Sequence, residues 1–168
     1  MVLKIRTYGD PVLRERCREV EKIDGRIKKL VSDMLETLKN VGGIGLSANQ
    51  VGESKRLFVV DMSRLTLEEI PLVVINPRII EKKGKQTSEE GCLSVPGIWA
   101  DVTRPQKLKI KGIDLNEKEI EVEGQGILAK VFSHEMDHLD GLFFVDRLRS
   151  IDKRLLSKKL KLIANKKS

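Results

Sequence analysis

Apolar positions along this chain change period several times, and each change marks an element. Ile27, Leu30, Val31, Met34, Leu35 and Leu38 recur at spacings of three and four, which predicts a helix over about 25–40. Asp24 stands where an N-cap belongs, and the glycines of "NVGG" (40–43) end the run. Earlier, Asp10-Pro11 reads as the cap and first turn of a short helix over about 11–16. "RLFVVDM" (56–62) and "LVVINP" (72–77) are β-branched runs bounded by turn residues, and "RIIEKKG" (78–84) predicts a third strand. "KLKIKGI" (107–113) and "EIEVE" (119–123) alternate strictly across "DLNEK", a hairpin pattern. "GQG" (124–126) stops the second of these, and helical spacing resumes over about 127–139 and again from near 147 to 164. Strands and helices are segregated and the strands are mostly hairpin-connected. The expected fold class is therefore α+β, with antiparallel or mixed sheets.

Composition narrows this picture. A chain of 168 residues fits one domain, large enough to bury a core without staples. Aromatics are only 4%, so Leu, Ile and Val should fill that core. Two cysteines, Cys17 and Cys92, make no disulfide framework and suggest a reducing compartment. There is neither an apolar run long enough to span a membrane nor a signal-peptide pattern at the start, so a cytoplasmic location is expected. Charge is uneven. Residues 147–168 carry nine Lys/Arg against Asp152 alone, while the whole chain is only +7. The basic character belongs to the tail, and the expected organisation is a body over 1–146 and a basic helix over 147–168 of the same single domain.

Both histidines of the chain lie in "HEMDH" (134–138). Four residues apart on a helix, His134 and His138 share a face and can hold one ion. Glu135 is offset by about 100°, enough to reach a ligand of that ion without binding it. A catalytic metal wants three protein ligands and one open position. No third histidine exists, and no Glu follows Glu135. The third ligand then comes from upstream or is an aspartate, and Cys92 in "EEGCLSVPG" is the best candidate. A thiolate with two imidazoles suits Zn²⁺, Fe²⁺, Co²⁺ or Ni²⁺. Cys17 reads instead as a small buried hydrophobe.

"GIGLSANQ" (43–50), "EGCLS" (90–94) and "HEMDH" (134–138) occur in this order, and together they resemble the three signature motifs of peptide deformylase. "YGDPVLRERCREV", "VINP", "RP" (104–105) and "HLDGLFFVDRL" extend the resemblance over nearly the whole chain. It implies a peptide deformylase-like fold, with sheets around the helix that bears HEMDH and a C-terminal helix beyond. It implies hydrolysis of the N-formyl group of formyl-methionine on newly made polypeptides, releasing formate. Cys92, His134 and His138 are the implied metal ligands, with Fe²⁺ as the ion in the cell. Glu135 is the implied general acid/base, and the Gln50 amide and the Leu93 N–H are the implied oxyanion donors. The motif usually carries Ala-Ala where this chain has Ser47-Ala48, a departure that adds a hydroxyl of unassigned partner.

Further expectations concern the substrate. The glycines of "GGIGL" allow close backbone approach, so the edge at Ile44 and Gly45 suits an added peptide strand. Ile127 and Val131 share a helix face with the two histidines and read equally as a pocket for the methionine side chain or as core. Lys130, about 100° from Val131, should reach solvent at the pocket rim. Glu90 and Arg104 are expected to pair near the site, and Asp137 to orient a ligand or cap a backbone group. The basic tail is expected to dock on ribosomal RNA, as resembling family members do, and no membrane partner is expected. Two rivals stand beside this reading. A zincin-type protease would need neither Cys92 nor the Gln50 motif, and a basic module with a structural metal would need a closed four-ligand site.

Overall fold

The computed structural model describes residues 1–166. Lys167 and Ser168, the end of the expected tail helix, lie outside the described residues. Helix α1 spans Gly25–Val41. The Asp24 carboxylate accepts from the N–H groups of Arg26 and Ile27 at 3.1 and 3.2 Å, and Gly42 ends the helix at φ +69°, a conformation open to glycine at no steric cost.

Seven strands follow: β1 (Gly45–Ser47), β2 (Leu57–Val60), β3 (Leu72–Lys83), β4 (Gln86–Cys92), β5 (Val95–Arg104), β6 (Lys107–Ile113) and β7 (Glu119–Gln125). Five form an antiparallel sheet in the order β1-β2-β3-β6-β7, and β4 and β5 form a separate hairpin. Helix α2 (Ile127–Leu139) lies against the larger sheet and also meets β5. Helix α3 (Ser150–Asn165) packs on β5 as well. The structure is α+β, as the hydrophobic pattern indicates.

Three apolar clusters hold these layers. Ala129, Phe132, Met136 and Leu139 of α2 pack on Phe58, Val60, Val74, Leu108 and Ile110 of the sheet. Ile27, Val31, Met34 and Leu38 of α1 pack on Leu46, Leu57, Val59 and Ile75. Leu160 and Ile163 of α3 join Val95, Ile98, Val102, Phe143 and Phe144. Each large side chain so buried contributes roughly 1.5–3 kcal/mol before entropy is counted. The site-bearing helix is thereby anchored on its apolar face, and its polar face is left for chemistry.

Four expectations need correction. The helix expected over 11–16 is a single 3-10 turn, Pro11–Arg14. Beyond it the backbone is claimed elsewhere, with the Cys17 N–H donating to the Leu139 carbonyl at 2.8 Å. The strands expected at 72–77 and 78–84 are one strand, β3, with a register shift between Ile75 and Arg78. Asn76 absorbs that shift at φ +51°, and its amide brackets Val20, accepting from its N–H at 2.7 Å and donating to its carbonyl at 2.9 Å. The β4–β5 hairpin lacked a predicted strand because "QTSEEGC" shows no apolar alternation. Among the residues of β4 only Glu90 is fully buried, and it is held by charge. Finally, the tail helix starts at Ser150, after a 3-10 turn at Phe144–Arg147. The apolar residues of this segment divide: Leu160 and Ile163 of α3 are buried, Leu156 of α3 and Leu148 just before it are half-buried, but Ile151, Leu155 and Leu162 face outward.

Candidate active site and metal centre

Helix α2 presents His134 and His138 one turn apart, and the end of β4 brings Cys92 against them. The His138 Nε2 lies 3.2 Å from Cys92 Sγ and 3.2 Å from His134 Nε2. One ligand atom from each of the three residues falls within 4.8 Å of the others. Three lone-pair donors this close repel unless something positive lies between them. The surroundings favour such a charge. Burial alone lowers the pKa of His134, yet Cys92 and Glu90 outweigh it and hold it up at about 10. The donor set thus fits a divalent cation on chemistry and on field.

A second set of residues fixes these ligands. Glu90 Oε1 sits 3.0 Å from His134 Nδ1, which orients the ring with Nε2 toward the cluster. Arg104 donates to both oxygens of Glu90 at 2.9 and 3.0 Å, and to Asp137 Oδ2 at 2.5 Å. Arg147 closes the far side of Asp137 at 2.7 Å. Glu90, Arg104 and Asp137 are all buried, so this is a charged network in the interior. The Asn49 amide donates to the His138 carbonyl at 2.6 Å, tying the first motif to the metal helix.

Gln50 and Ser47 sit in the short turn after β1. Gln50 Oε1 accepts from the Ser47 N–H and lies 3.0 Å from the Ser47 hydroxyl, while Gln50 Nε2 donates to Ser94 Oγ at 3.0 Å and faces Cys92 Sγ at 3.6 Å. The amide therefore points its N–H₂ toward the ligand cluster. The Ser47 hydroxyl also lies 2.9 Å from Asn49 Oδ1, which answers where the extra hydroxyl goes. Glu135 is buried beside Gly45, and its Oε2 has no hydrogen-bond partner among the described residues. Burial pushes its carboxyl up to about 7, against the opposing influence of His134, Ser47 and Arg104. A carboxyl in that range takes and gives protons near neutral pH.

An open cavity of about 480 Å³ lies over this constellation. Of the residues singled out from sequence, Ile44, Gly45, Gln50, Glu90, Cys92, Leu93, Val131, His134 and Glu135 line it. His138, Arg104 and Asp137 are buried behind it. Lys130 stands at the wall as expected, but its amine is bonded to the Glu89 carbonyl at 2.5 Å. Ile127 is not brought to the cavity or to the core: it is 62% exposed in the first turn of α2. Helical side chains tilt toward the N-terminus, so one at the first turn projects past the helix start. Sequence reasoning missed Gly91, Pro96, Gly97 and Trp99 in the cavity wall, and Asn49 and Ser94 behind it. The unread β4–β5 hairpin supplies all of these but Asn49.

An α+β frame with a Cys/His/His cluster, a buried carboxyl of raised pKa and an open cleft defines a metal-dependent hydrolase. Residues 2–154 match the family model described as polypeptide deformylase. A peptide deformylase of Thermodesulfovibrio yellowstonii is 43% identical over 160 residues, covering 95% of this chain and 97% of that one. One from Clostridium botulinum is 50% identical over 143 residues, 85% of this chain and 94% of its own. The crystal structure of peptide deformylase from Thermus thermophilus superposes with a TM-score of 0.90 at 40% identity, covering 98% of both chains. The chain belongs to the polypeptide deformylase family. Its reaction is hydrolysis of the N-formyl group from formyl-methionyl peptides.

Proposed function

We propose that deformylation runs in the cleft between β1 and the β4–β5 hairpin with the following division of labour. Cys92, His134 and His138 hold one metal ion, Fe²⁺ in the cell, with Zn²⁺, Ni²⁺ or Co²⁺ acceptable to the same donors. When bound, the metal supplies Lewis acidity, which lowers the pKa of water from roughly 15.7 to about 7. Glu135 takes a proton from the attacking water. The water oxygen bonds to the formyl carbon, and charge gathers on the formyl oxygen. Gln50 Nε2 and the Leu93 N–H donate to that oxygen. The C–N bond then breaks as Glu135 delivers its proton to the departing amine, leaving formate and a free amino terminus. Ile44 and Val131 are the apolar wall for the methionine side chain, and the Ile44–Gly45 edge receives the peptide backbone as an added strand.

The observation that carries this reading is the unpartnered Glu135 Oε2, buried beside a convergent Cys/His/His cluster. It is tested by measuring formate from formyl-Met-Ala alongside cleavage of internal peptide bonds in longer peptides. Formate release with no internal cleavage is expected; the reverse pattern would assign a protease.

The enzyme is expected to work in the cytoplasm and to dock through α3 on ribosomal RNA. Support comes from the exposed Arg154, Lys158, Lys159 and Lys161 on that helix. Truncating the helix would remove the buried Leu160 and Ile163, so a charge change is the cleaner probe. Lys158, Lys159 and Lys161 changed together to Glu should abolish co-sedimentation with ribosomes. Binding unmoved by those changes, or indifferent to salt between about 50 and 200 mM, would refute the docking.

A further inference from the structure

We propose that the hydroxyl of Ser47 is the positioning group of the oxyanion donor: it holds the Gln50 amide with its N–H₂ toward the ligand cluster and ties that orientation to the metal helix. The inference deepens the deformylation reading and rests on it.

Strand alternation places this hydroxyl. Leu46 of β1 turns into the cluster beneath α1, so Gly45 and Ser47 on either side of it face the other way. That direction is α2, where Gly45 lies against Glu135. Ser47 is fully buried and ends β1 opposite Phe58 of β2. The sheet holds its backbone, so the hydroxyl acts from a fixed point.

A glutamine amide has two ends of similar shape and opposite polarity, and a half turn exchanges them. At Gln50 the exchange would aim oxygen lone pairs at Cys92 Sγ and at the oxygen on which charge gathers. The bond from Nε2 to Ser94 Oγ at 3.0 Å does not forbid it, because a hydroxyl donates as readily as it accepts. The Ser47 N–H does discriminate, since it can only donate, and it reaches Gln50 Oε1 at 3.0 Å. The Ser47 hydroxyl becomes a donor through Asn49. Asn49 gives its Nδ2 to the His138 carbonyl at 2.6 Å, which turns its Oδ1 toward Ser47 Oγ at 2.9 Å. Gln50 Oε1 lies 3.0 Å from the same hydroxyl. Neither carbonyl oxygen carries a proton, so the single hydroxyl proton is shared between them. One hydroxyl thereby links the amide that grips the metal helix to the amide that faces the substrate. Without it, Gln50 Oε1 keeps one donor and Asn49 Oδ1 keeps none among the described residues.

The experiment is a double-mutant cycle on the metal-loaded enzyme, with wild type, Ser47→Ala, Gln50→Ala and the double variant assayed for formate from formyl-Met-Ala. Ser47→Ala should lower kcat about three- to tenfold, the worth of one net hydrogen bond, with KM within about twofold. In the Gln50→Ala background the same change should alter kcat by less than about twofold, because the group through which the hydroxyl acts is gone. A readout independent of turnover is the side-chain N–H₂ signal of Gln50 in the amide NMR spectrum of the Zn²⁺-loaded protein, identified by its loss in Gln50→Ala. Wild type should give one sharp pair, and Ser47→Ala a broadened or doubled pair. A Ser47→Ala kcat within about twofold of wild type, a loss undiminished in the Gln50→Ala background, or identical Gln50 signals in the two proteins would each overturn the positioning role. The undiminished loss would move the effect to Glu135, whose proton affinity Ser47 also lowers. Full turnover by Gln50→Ala, or no formate from wild type, would overturn the oxyanion assignment and the positioning role together.

Discussion

Removing Arg104 should be among the most damaging single changes in this chain. Its guanidinium is 3% exposed and bonds both oxygens of Glu90, 2% exposed, and one of Asp137, 6% exposed. Arg104→Leu would leave Glu90 charged in the interior with only His134 as partner, while Asp137 would keep Arg147. Breaking a buried pair in this way costs about 3–5 kcal/mol, against a total stability of roughly 5–15. Proton linkage yields a similar figure. Burial pushes the Glu90 carboxyl up, but bonds from His134 and Arg104 and the Arg104 charge outweigh it, so the pKa falls from 4.5 to about 2. That depression corresponds to roughly 3 kcal/mol at about 1.4 per pH unit. Because the folded value lies below the unfolded one, the contribution is complete above 4.5 and is lost as pH falls through 2. The assay is urea denaturation of both proteins at about pH 7 and about pH 3. The gap should be at least about 3 kcal/mol at the higher pH and should narrow at the lower. The double variant Glu90→Gln/Arg104→Leu should recover part of the loss. A gap under about 1 kcal/mol at pH 7, or one independent of pH, would refute the reasoning.

Three further outcomes follow from the site. With Glu135 ionising near 7, kcat/KM should fall as pH drops through about 7 rather than through 4.5; a flat profile down to about 5 would remove the carboxyl from the rate law. Gly45→Ala places a Cβ 2.9 Å from Glu135 Oε1 and 3.2 Å from its Cδ, so turnover should drop at least about tenfold with the fold intact by circular dichroism; unchanged turnover would mean that Glu135 can shift freely. Cys92→Ala should lose both metal and activity, whereas Cys17→Ala should be nearly silent for catalysis, since Cys17 is buried and its thiol is pushed up to about 11 by burial. Full metal content in Cys92→Ala would void the ligand assignment.

How far the sequence revealed this molecule depended on where apolar periodicity carried the signal. Helix α1, with its Asp24 cap and Gly42 terminus, and the β6–β7 hairpin were legible because each buries one regular face. The β4–β5 hairpin was not, because β4 is held by the ion pair of Glu90 with Arg104 and the buried apolar residues of β5, Val95, Ile98 and Val102, do not alternate regularly. β3 read as two strands because Asn76-Pro77 looks like a break, and the clamp of Asn76 on Val20 is invisible to local pattern. The metal cluster was legible in part from helical spacing, which puts His134 and His138 on one face. Cys92 emerged as the candidate third ligand from its thiol chemistry and the lack of a third histidine, and the motif resemblance then assigned it; its closeness to His138, 46 residues on, is not visible in any local spacing. Trp99 escaped notice because a lone exposed aromatic on an unrecognised strand has no periodic context.

The most direct test of the central claim is Glu135→Gln, measured for formate release from formyl-Met-Ala and for bound metal on the same preparation. Because Glu135 neighbours a ligand but is not one of the convergent three, the variant should retain metal close to one ion per chain. Its turnover should fall by about 10²–10⁴. Metal retained with turnover within about tenfold of the wild type would contradict the assignment of Glu135 as the group that moves the proton.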